Sequence, residues 1–452
     1  MTVHETELAA EVLRPGDAEY DDAARVFLGS GRPALVVRPR DPDEVAAAVT
    51  HAVAAGLEVS VRSGGHSPVG HGTNTDGMVI DLRHLDDVEI LVAGSRLVRV
   101  GAGATWGRVS AELDPRGWGL TAGDTTSVGV GGLTLGGGIG WMVRKHGLAI
   151  DNLVAARVVT ADGRLLTASE TENPDLFWAI RGGGGNFGVV VDFDFVAQEV
   201  ATVHFGTVTY RLDDPAALIA GWRDAMRVAP EELSSTLVLL PRTAGAPAMA
   251  QVLLCYAGDP GAPVTVADAA LEPLLELGAV VEASIAERRY AEVLEDAQHP
   301  PGIRLVVRNT LVPSLDAEVI AAVIAAHAGP TPTAFAIRSL GGAFARVPAD
   351  ATAFAHRGAE AMVVGAVLLA ETATDDEVRA ALQPWRAVAE LGSGSYVNFQ
   401  GSDDAPDVEA AYPPATYARL AAVKAAYDPD NVFARNHNIA PALREGAVRS
   451  RC

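Results

Sequence analysis

The chain has 452 residues with 35 basic and 57 acidic side chains, and its formal net charge of −22 disfavours nucleic acid or an anionic membrane as a partner. No apolar stretch reaches membrane-spanning length, and the N-terminus lacks the pattern of a secretory signal, so a cytoplasmic protein is the default expectation. Two cysteines are too few for a disulfide framework or a cysteine-based metal site, so no metal is expected.

The first region, to about residue 200, predicts short strands and one well-capped helix. That helix has Asp41 as its N-cap and Pro42 as its first residue, and Gly56 ends it. The dipeptide Asp162-Gly163 predicts a tight hairpin. We expect strands at 33–37, 58–62, 78–82, 88–92, 97–101, 152–161, 164–168 and 188–196, and further helices near 105–114 and 174–181.

The second region, about 203–400, alternates strands with longer helices rich in alanine and leucine. This order predicts a larger sheet backed by helices, an α+β arrangement. A tail from residue 412 follows, with a helix at 417–427 and a breaker at 428–431. The expected strands are 207–212, 236–240, 250–256, 280–285, 305–310, 334–339 and 361–369, and the helices are 214–228, 261–278, 315–328 and 374–391.

Glycine is enriched, with 46 residues or about ten per cent against a usual ~7%, and it concentrates in three predicted loops. The first, at 64–72, follows a strand and presents His66 beside bare backbone amides that suit a phosphate. His66 is either a nucleophile placed next to a bound cofactor or an ordinary polar loop residue. The others are 129–140 and 182–188; close packing would explain one such pair, but three together favour a cofactor.

Residues 183–188 also read as the glycine fingerprint of a nicotinamide dinucleotide site. That fingerprint requires a strand before it and a helix after it. Here a predicted helix precedes the glycines and a predicted strand follows them, so we reject a Rossmann nicotinamide site.

Taken together, five segments resemble the FAD-binding domain of the p-cresol methylhydroxylase/vanillyl-alcohol oxidase superfamily. They are residues 61–67, 128–140, 144–148, 151–153 and 173–188. The tail, at 427–433 and 436–439, resembles the C-terminal module of berberine-bridge-enzyme-like oxidases, and within them a bacterial subgroup that includes 6-hydroxy-D-nicotine oxidase and antibiotic-tailoring flavin oxidases. The resemblance implies an FAD-binding domain at 1–202, a substrate domain with a large antiparallel sheet at 203–405, and a segment at 406–452 that returns to the first domain.

The resemblance also implies a role for individual residues. FAD would be linked covalently through His66, residues 62–73 would wrap its pyrophosphate, and the tail asparagines would approach the pyrimidine edge of the flavin. The residues expected to bind FAD are Arg62, Ser63, Gly64, Gly65, His66, Ser67, Gly70, His71, Gly123, Asp124, Thr125, Val128, Gly131, Gly132, Gly136, Gly137, Gly138, Gly140, Gly188, Val190, Asn436 and Asn438.

The chain departs from the family pattern at two positions. Thr125 stands where many members have a second flavin-linking cysteine, so we predict a link through His66 only. Phe399 stands where relatives that oxidise alcohols and sugars have a tyrosine thought to act as a base, and a phenyl ring accepts no proton. Tyr396, His71 and Asp124 are substitute bases, although each has an alternative structural role.

The expected chemistry is hydride transfer from a small organic or natural-product substrate (alcohol, amine, sugar or phenolic) to flavin N5, with O2 reoxidising the flavin to give H2O2. Val128 matches a position that admits oxygen in relatives, which favours an oxidase over a dehydrogenase with another electron acceptor. A non-catalytic carrier is a third possibility. Phe399 makes amine oxidation credible, whereas Arg338 would repel a cation and pair with a carboxylate, enolate or phenolate, or else lie on the surface. No protein partner is inferable.

Overall fold

A computed structural model describes residues 8–200, 202–242, 245–296 and 301–443. The first seven residues, on which the expectation about a secretory signal partly depended, lie outside this range. Within it, no helix is long and apolar enough to cross a membrane.

The first region begins with a small sheet of four strands: β1 (Glu11–Leu13), β2 (Leu35–Arg38), β3 (Val59–Arg62) and β4 (Met78–Asp81). They lie in the order β1-β2-β4-β3, and only β1 runs antiparallel to its neighbour. The helix Pro42–Ala55 connects β2 to β3, as predicted. The Asp41 carboxylate accepts a hydrogen bond from Glu44 N at 2.8 Å at the start of this helix, and Gly56 ends it in the left-handed conformation at φ 66°.

A five-stranded antiparallel sheet follows, made of β5 (Val88–Val92), β6 (Leu97–Gly101), β7 (Leu153–Val159), β8 (Leu165–Ser169) and β9 (Val189–Val196). The strands lie in the order β8-β7-β9-β6-β5, and a helix spans Trp106–Leu113. The β7–β8 hairpin turns at Asp162-Gly163, as predicted. The helix Pro174–Ile180 precedes the glycines at 183–188 and β9 follows them, which confirms the order that excludes the nicotinamide fingerprint.

All seven strands predicted for the second region are present: β10 (Thr202–Arg211), β11 (Leu233–Leu239), β12 (Met249–Tyr256), β13 (Val280–Arg289), β14 (Ile303–Val312), β15 (Thr333–Ser339) and β16 (Ala361–Ala370). They form one antiparallel sheet, in the order β13-β10-β12-β11-β15-β16-β14. The longer helices of this region are Pro215–Val228, Val264–Leu275 and Ala317–His327. The α+β class is therefore confirmed.

The structure corrects three local expectations. The middle glycine cluster is not all loop, because Val130–Gly136 is a helix whose glycines allow close approach to the backbone: a Cβ at Gly131 would lie 3.0 Å from Ala102 O. The helix expected at 374–391 is two helices, since Pro384 cannot continue the first hydrogen-bonding pattern. The observed segments are Asp375–Ala381 and Trp385–Ala389, and a helix at Ala405–Ala411 was not expected.

The tail returns to the first region, held by a buried lysine at the end of the helix Pro414–Tyr427. Lys424 is fully buried, and its Nζ donates to Asn186 O at 2.7 Å, to Asp428 Oδ2 at 2.7 Å and to Phe433 O at 3.1 Å. Burial lowers the pKa of Lys424, and Asp428 partly offsets that shift. It is one of only two lysines in the chain. The domain boundaries at 202 and 405 stay a prediction.

The Lys424→Met variant should lose about 3–5 kcal/mol of unfolding free energy, because it leaves the buried Asp428 carboxylate without its cation. Urea denaturation measures this loss. The control is Arg379→Met, which breaks an exposed pair with Asp376 and should cost no more than about 1 kcal/mol. Similar losses in both variants would show that the buried contact is not important for stability.

Candidate functional site

A cavity of about 520 Å³ lies between the first region and one face of the seven-stranded sheet. Three glycine segments, three sheet residues and the tail contribute to its walls. Most of the predicted site residues line it, namely Arg62, Ser63, Gly64, Gly65, His66, Ser67, His71, Gly123, Asp124, Thr125, Val128, Gly131, Gly132, Gly136, Gly188, Val190, Arg338, Tyr396, Phe399 and Asn436.

Five predicted residues do not line the cavity: Gly70, Gly137, Gly138, Gly140 and Asn438. A Cβ at Gly140 would lie 1.3 Å from Ala122 O, so this glycine permits two segments to pack rather than a ligand to approach. Gly138 acts indirectly, because its N–H donates to the Tyr396 hydroxyl. The Asn438 Oδ1 is buried without a hydrogen-bond partner among the described residues.

The loop after β3 forms a cradle of backbone donors. The N–H groups of Gly64, Gly65 and His66 have no protein acceptor in the described part of the chain. Arg62 lies beside them, held by a 2.7 Å bond from its Nη2 to Asp81, while its buried Nε likewise has no described partner. Such a run of amides next to a guanidinium suits the oxygens of a phosphate.

The same cradle places His66 on the cavity wall. Its ring stacks on Phe27, with the ring centroids 4.4 Å apart and the planes 20° from parallel. Burial lowers the pKa of His66, so the imidazole is neutral at pH 7 and one ring nitrogen keeps a free lone pair. A neutral imidazole at this position is competent to form a bond to an electrophilic carbon.

At the sheet side of the cavity, Arg338 of β15 forms an ion pair with Asp124. Its Nη2 lies 2.5 Å from Asp124 Oδ2, and its Nη1 donates a long 3.5 Å bond to Ile139 O. Burial raises the pKa of the Asp124 carboxyl, but the charge and hydrogen bond of Arg338 outweigh that effect and bring the pKa below its usual value. The alternative of a surface arginine is therefore wrong, and Asp124 is a weaker base than an ordinary carboxylate.

Tyr396 is fully buried on the same wall, and its hydroxyl oxygen accepts two hydrogen bonds. Gly138 N donates at 3.0 Å and Asn398 Nδ2 at 2.7 Å. Burial raises the pKa of Tyr396, and these two donors only partly offset the rise. With both lone pairs occupied and the phenol neutral, Tyr396 is a poor proton acceptor. Phe399 lies beside it, with the ring centroids 5.8 Å apart.

The tail closes the opposite side of the cavity. His71 Nε2 lies 3.1 Å from Asp403 Oδ2, and the rings of His71 and His437 meet edge to face at 5.2 Å. Burial and the neighbouring His71 lower the pKa of His437 to about 4. The Asn436 Oδ1 is buried without a described partner, as expected of a group that awaits a ligand donor.

Sequence reasoning missed several residues of the wall. Asn398 lies inside a motif that was read only for its aromatic positions, so its polar side chain was an available signal. Phe27 and Leu28 follow no recognisable pattern, since only the fold brings them to His66. The other wall residues that were not named individually include Leu133, Leu135, Ile139, Gly184, Gly185, Asn186, Leu305, Val307, Val397, Tyr412, Phe433, Arg435 and His437, of which the first six lie in the predicted glycine loops.

Comparison with known proteins agrees with this geometry. Residues 33–169 match the family model of an FAD-binding domain, and residues 395–440 match that of berberine and berberine-like proteins. The (R)-6-hydroxynicotine oxidase of Paenarthrobacter nicotinovorans is 33% identical over 96% of this chain and 97% of its own length. The FAD-linked oxidoreductase DDB_G0289697 of Dictyostelium discoideum is 30% identical over 95% and 94% of the two chains.

Solved structures show the same relationship. The 6-hydroxy-D-nicotine oxidase of Arthrobacter nicotinovorans superposes with a TM-score of 0.86 at 30% identity, covering 96% of this chain and 99% of the other. A xylooligosaccharide oxidase from Myceliophthora thermophila gives 0.83 at 26% identity, with 96% and 98% covered. The chain belongs to the berberine-bridge-enzyme-like family of FAD-linked oxidoreductases.

The cavity residues fit FAD. The cradle around Gly64 supplies donors for its phosphates, open space lies where a Cβ of Gly132 or Gly185 would stand, and the orphaned carbonyl oxygen of Asn436 can accept from a flavin N–H.

We expect Asp124→Asn to lower the unfolding free energy by about 1–3 kcal/mol at pH 7, because it removes the charged partner of Arg338. The folded-state pKa of Asp124 is depressed, so the ion pair stabilises above the unfolded-state pKa of about 3.9. The difference from the wild type should therefore narrow as the pH falls below about 4. Urea denaturation from pH 7 to pH 3 measures it.

The matched control for this experiment is Asp376→Asn, at an exposed ion pair with Arg379. It should change the unfolding free energy by less than about 1 kcal/mol at every pH. A constant difference for Asp124→Asn across the range would contradict the ionised pair.

Proposed function

We propose that this protein is an FAD-linked oxidase whose flavin is held covalently through His66 alone and whose electrons return to O2, giving H2O2. The observation that carries this proposal is His66 itself, a neutral imidazole beside unsatisfied backbone donors on the cavity wall. Bound FAD supplies the hydride acceptor and the reaction with O2. The residues of this chain bind, orient and shield the reactants.

Two positions support a single covalent link. A relative from Acremonium strictum, a glucooligosaccharide oxidase, is described as carrying a flavin joined to both cysteine and histidine. In this chain Thr125 occupies the position that the family's cysteine would take, and it lines the cavity. Cys255 is buried in β12 and is not among the lining residues, and burial raises the pKa of its thiol. The hydroxyl of Thr125 is a far weaker nucleophile than a thiolate.

Among the residues that the structure describes, Phe399, Tyr396 and Asp124 offer no strong general base, and His71 and His437 line the opposite side of the cavity, by the tail. Phe399 accepts no proton, the lone pairs of Tyr396 are occupied, and Asp124 is held by Arg338. Tyr396 keeps its O–H hydrogen, which leaves it able to donate a hydrogen bond. Substrates that lose hydride without a protein base fit this site: neutral amines, and molecules whose acidic O–H has already ionised in solution.

The first test is His66→Ala, which should abolish covalent flavin attachment. Wild-type protein precipitated with acid should keep its yellow flavin in the pellet, whereas the variant should release all of it to the supernatant. His51→Ala is the control, since that imidazole lies on the helix Pro42–Ala55 and does not line the cavity, so the covalent flavin should stay in place. Release of flavin by the wild type would refute the covalent link.

The same assay tests whether position 125 could serve as a second attachment point for the flavin if it carried a cysteine. The His66→Ala/Thr125→Cys double variant should regain some acid-stable flavin, because a thiol is placed on the cavity wall where wild type has a hydroxyl. Acid-stable flavin in His66→Ala alone would instead reveal a second natural link.

The identity of the electron acceptor, O2 or a quinone, is tested by a substitution at Val128, which lines the cavity. Val128→Leu adds one methylene, and overpacking that raises the barrier to O2 by about 1–3 kcal/mol corresponds to roughly fivefold to 150-fold slower access. Stopped-flow reoxidation of photoreduced protein in air measures the rate, and anaerobic reoxidation by a quinone is the control. A wild type that reacts sluggishly with air and rapidly with the quinone would be a dehydrogenase.

A further inference from the structure

The seven-stranded sheet has two faces of different character. In β15 and β16, Phe335, Ile337 and Val363 point to the helices and are almost completely buried in the core. The alternating residues point the other way and stay partly exposed, as the period of two in a strand requires. This second face is continuous with the cavity, because Leu305 and Val307 of β14 line it.

On this face of three neighbouring strands, the residues next to the cavity-lining Leu305 and Val307 are alanine and valine, which are partly exposed but do not line the cavity themselves. Ala336 pairs with Val364, and Ala366 pairs with both Ala334 and Val307, so their side chains form one surface. We call this surface the apolar platform, and it consists of Leu305, Val307, Ala334, Ala336, Val364 and Ala366.

The platform ends at a polar pair. Arg338 follows Ala336 by two residues on β15 and therefore shares its face. Thr236 of β11 pairs directly with Arg338 in the register. Thr236 is not itself a lining residue of the cavity; its side chain is 4% exposed, and its buried hydroxyl has no hydrogen-bond partner among the described residues. A guanidinium has five N–H donors, and among the described residues Asp124 and Ile139 O are the hydrogen-bond acceptors of Arg338, so three donors stay available.

We propose that the substrate is a flat, largely apolar molecule with one acidic oxygen group, seated on the apolar platform with that oxygen at Arg338 and Thr236. This inference rests on the proposed function, whose substrate it describes. An oligosaccharide does not fit, since its hydroxyls would face alanine, valine and leucine without partners.

The charge arrangement explains why the oxygen group is anionic. The remaining N–H groups of Arg338 are donors only, and the Asp124 carboxylate is already bonded to Arg338 and Thr125. An ammonium group would meet the guanidinium without a free carboxylate to pair with it. An oxygen that enters already ionised, and that is conjugated with the carbon losing hydride, also needs no protein base, in agreement with Phe399 and the occupied lone pairs of Tyr396.

Binding to the purified holoenzyme tests the proposal without turnover. Three probes are titrated by calorimetry: 2-naphthoate, 2-naphthylmethylamine and cellobiose. We expect 2-naphthoate to bind at least tenfold more tightly than either of the others, because only it matches both the platform and the donors. Tighter binding of cellobiose or of the amine would overturn the proposal.

Two valine substitutions locate the binding site. Thr236→Val keeps the side-chain shape and removes the hydroxyl, so it should lower the affinity for 2-naphthoate about fivefold, which is the effect of one lost hydrogen bond. Thr209→Val is the matched control on the same face, two strands or about 10 Å from β11, and should not change affinity. Equal affinity of all three proteins would overturn the placement at Thr236.

The Arg338→Gln variant is a second and more sensitive test of the binding site. It should weaken the binding of 2-naphthoate by tenfold or more, because a charge-assisted hydrogen bond is lost, and it should leave the affinity for cellobiose unchanged. Acid-stable flavin is measured in every sample, so a failure of the FAD proposal appears as released flavin and a failure of the substrate proposal appears in the binding constants.

Discussion

The buried ammonium of Lys424 is the contact on which the assembled cavity depends. It joins the carbonyl oxygens of Asn186 and Phe433 to the Asp428 carboxylate in one place. Asn186 adds a second connection, because its side chain donates to His437 O and accepts from Ile439 N. Through these bonds the tail is fixed against the glycine loop at 182–188. Residues from the two ends of the chain thereby share one wall.

The cavity that results changes in character from one end to the other. Around Gly64 it offers backbone donors and the guanidinium of Arg62, which suit phosphate oxygens. At the sheet it offers the apolar side chains of Leu305 and Val307 beside the charged pair of Arg338 and Asp124. One cavity therefore provides separate surroundings for a polar cofactor tail and for an apolar reactant.

Most of the fold could be predicted from sequence because the signals were local. Asp41, Pro42 and Gly56 mark a helix by caps alone, and each of the seven strands of the large sheet was expected from its own short segment. The helix Val130–Gly136 was not predicted, because glycine disfavours helices. Glycine is required at Gly131 by the close packing against Ala102 O, which only the folded structure shows. At the site, motifs indicated His66 and Thr125. The pairing of Arg338 with Asp124 was not predictable, since 214 residues separate them and only the register of β15 brings them together.

The scarcity of lysine has a practical consequence. Lys145 and Lys424 are the only lysines, and Lys424 Nζ is fully enclosed whereas Lys145 is partly exposed. An amine-reactive acylating reagent would thus modify Lys145 in the closed protein and reach Lys424 only when the tail detaches. The ratio of the two labels, read by mass spectrometry, makes the chain its own reporter of how often the cavity wall opens.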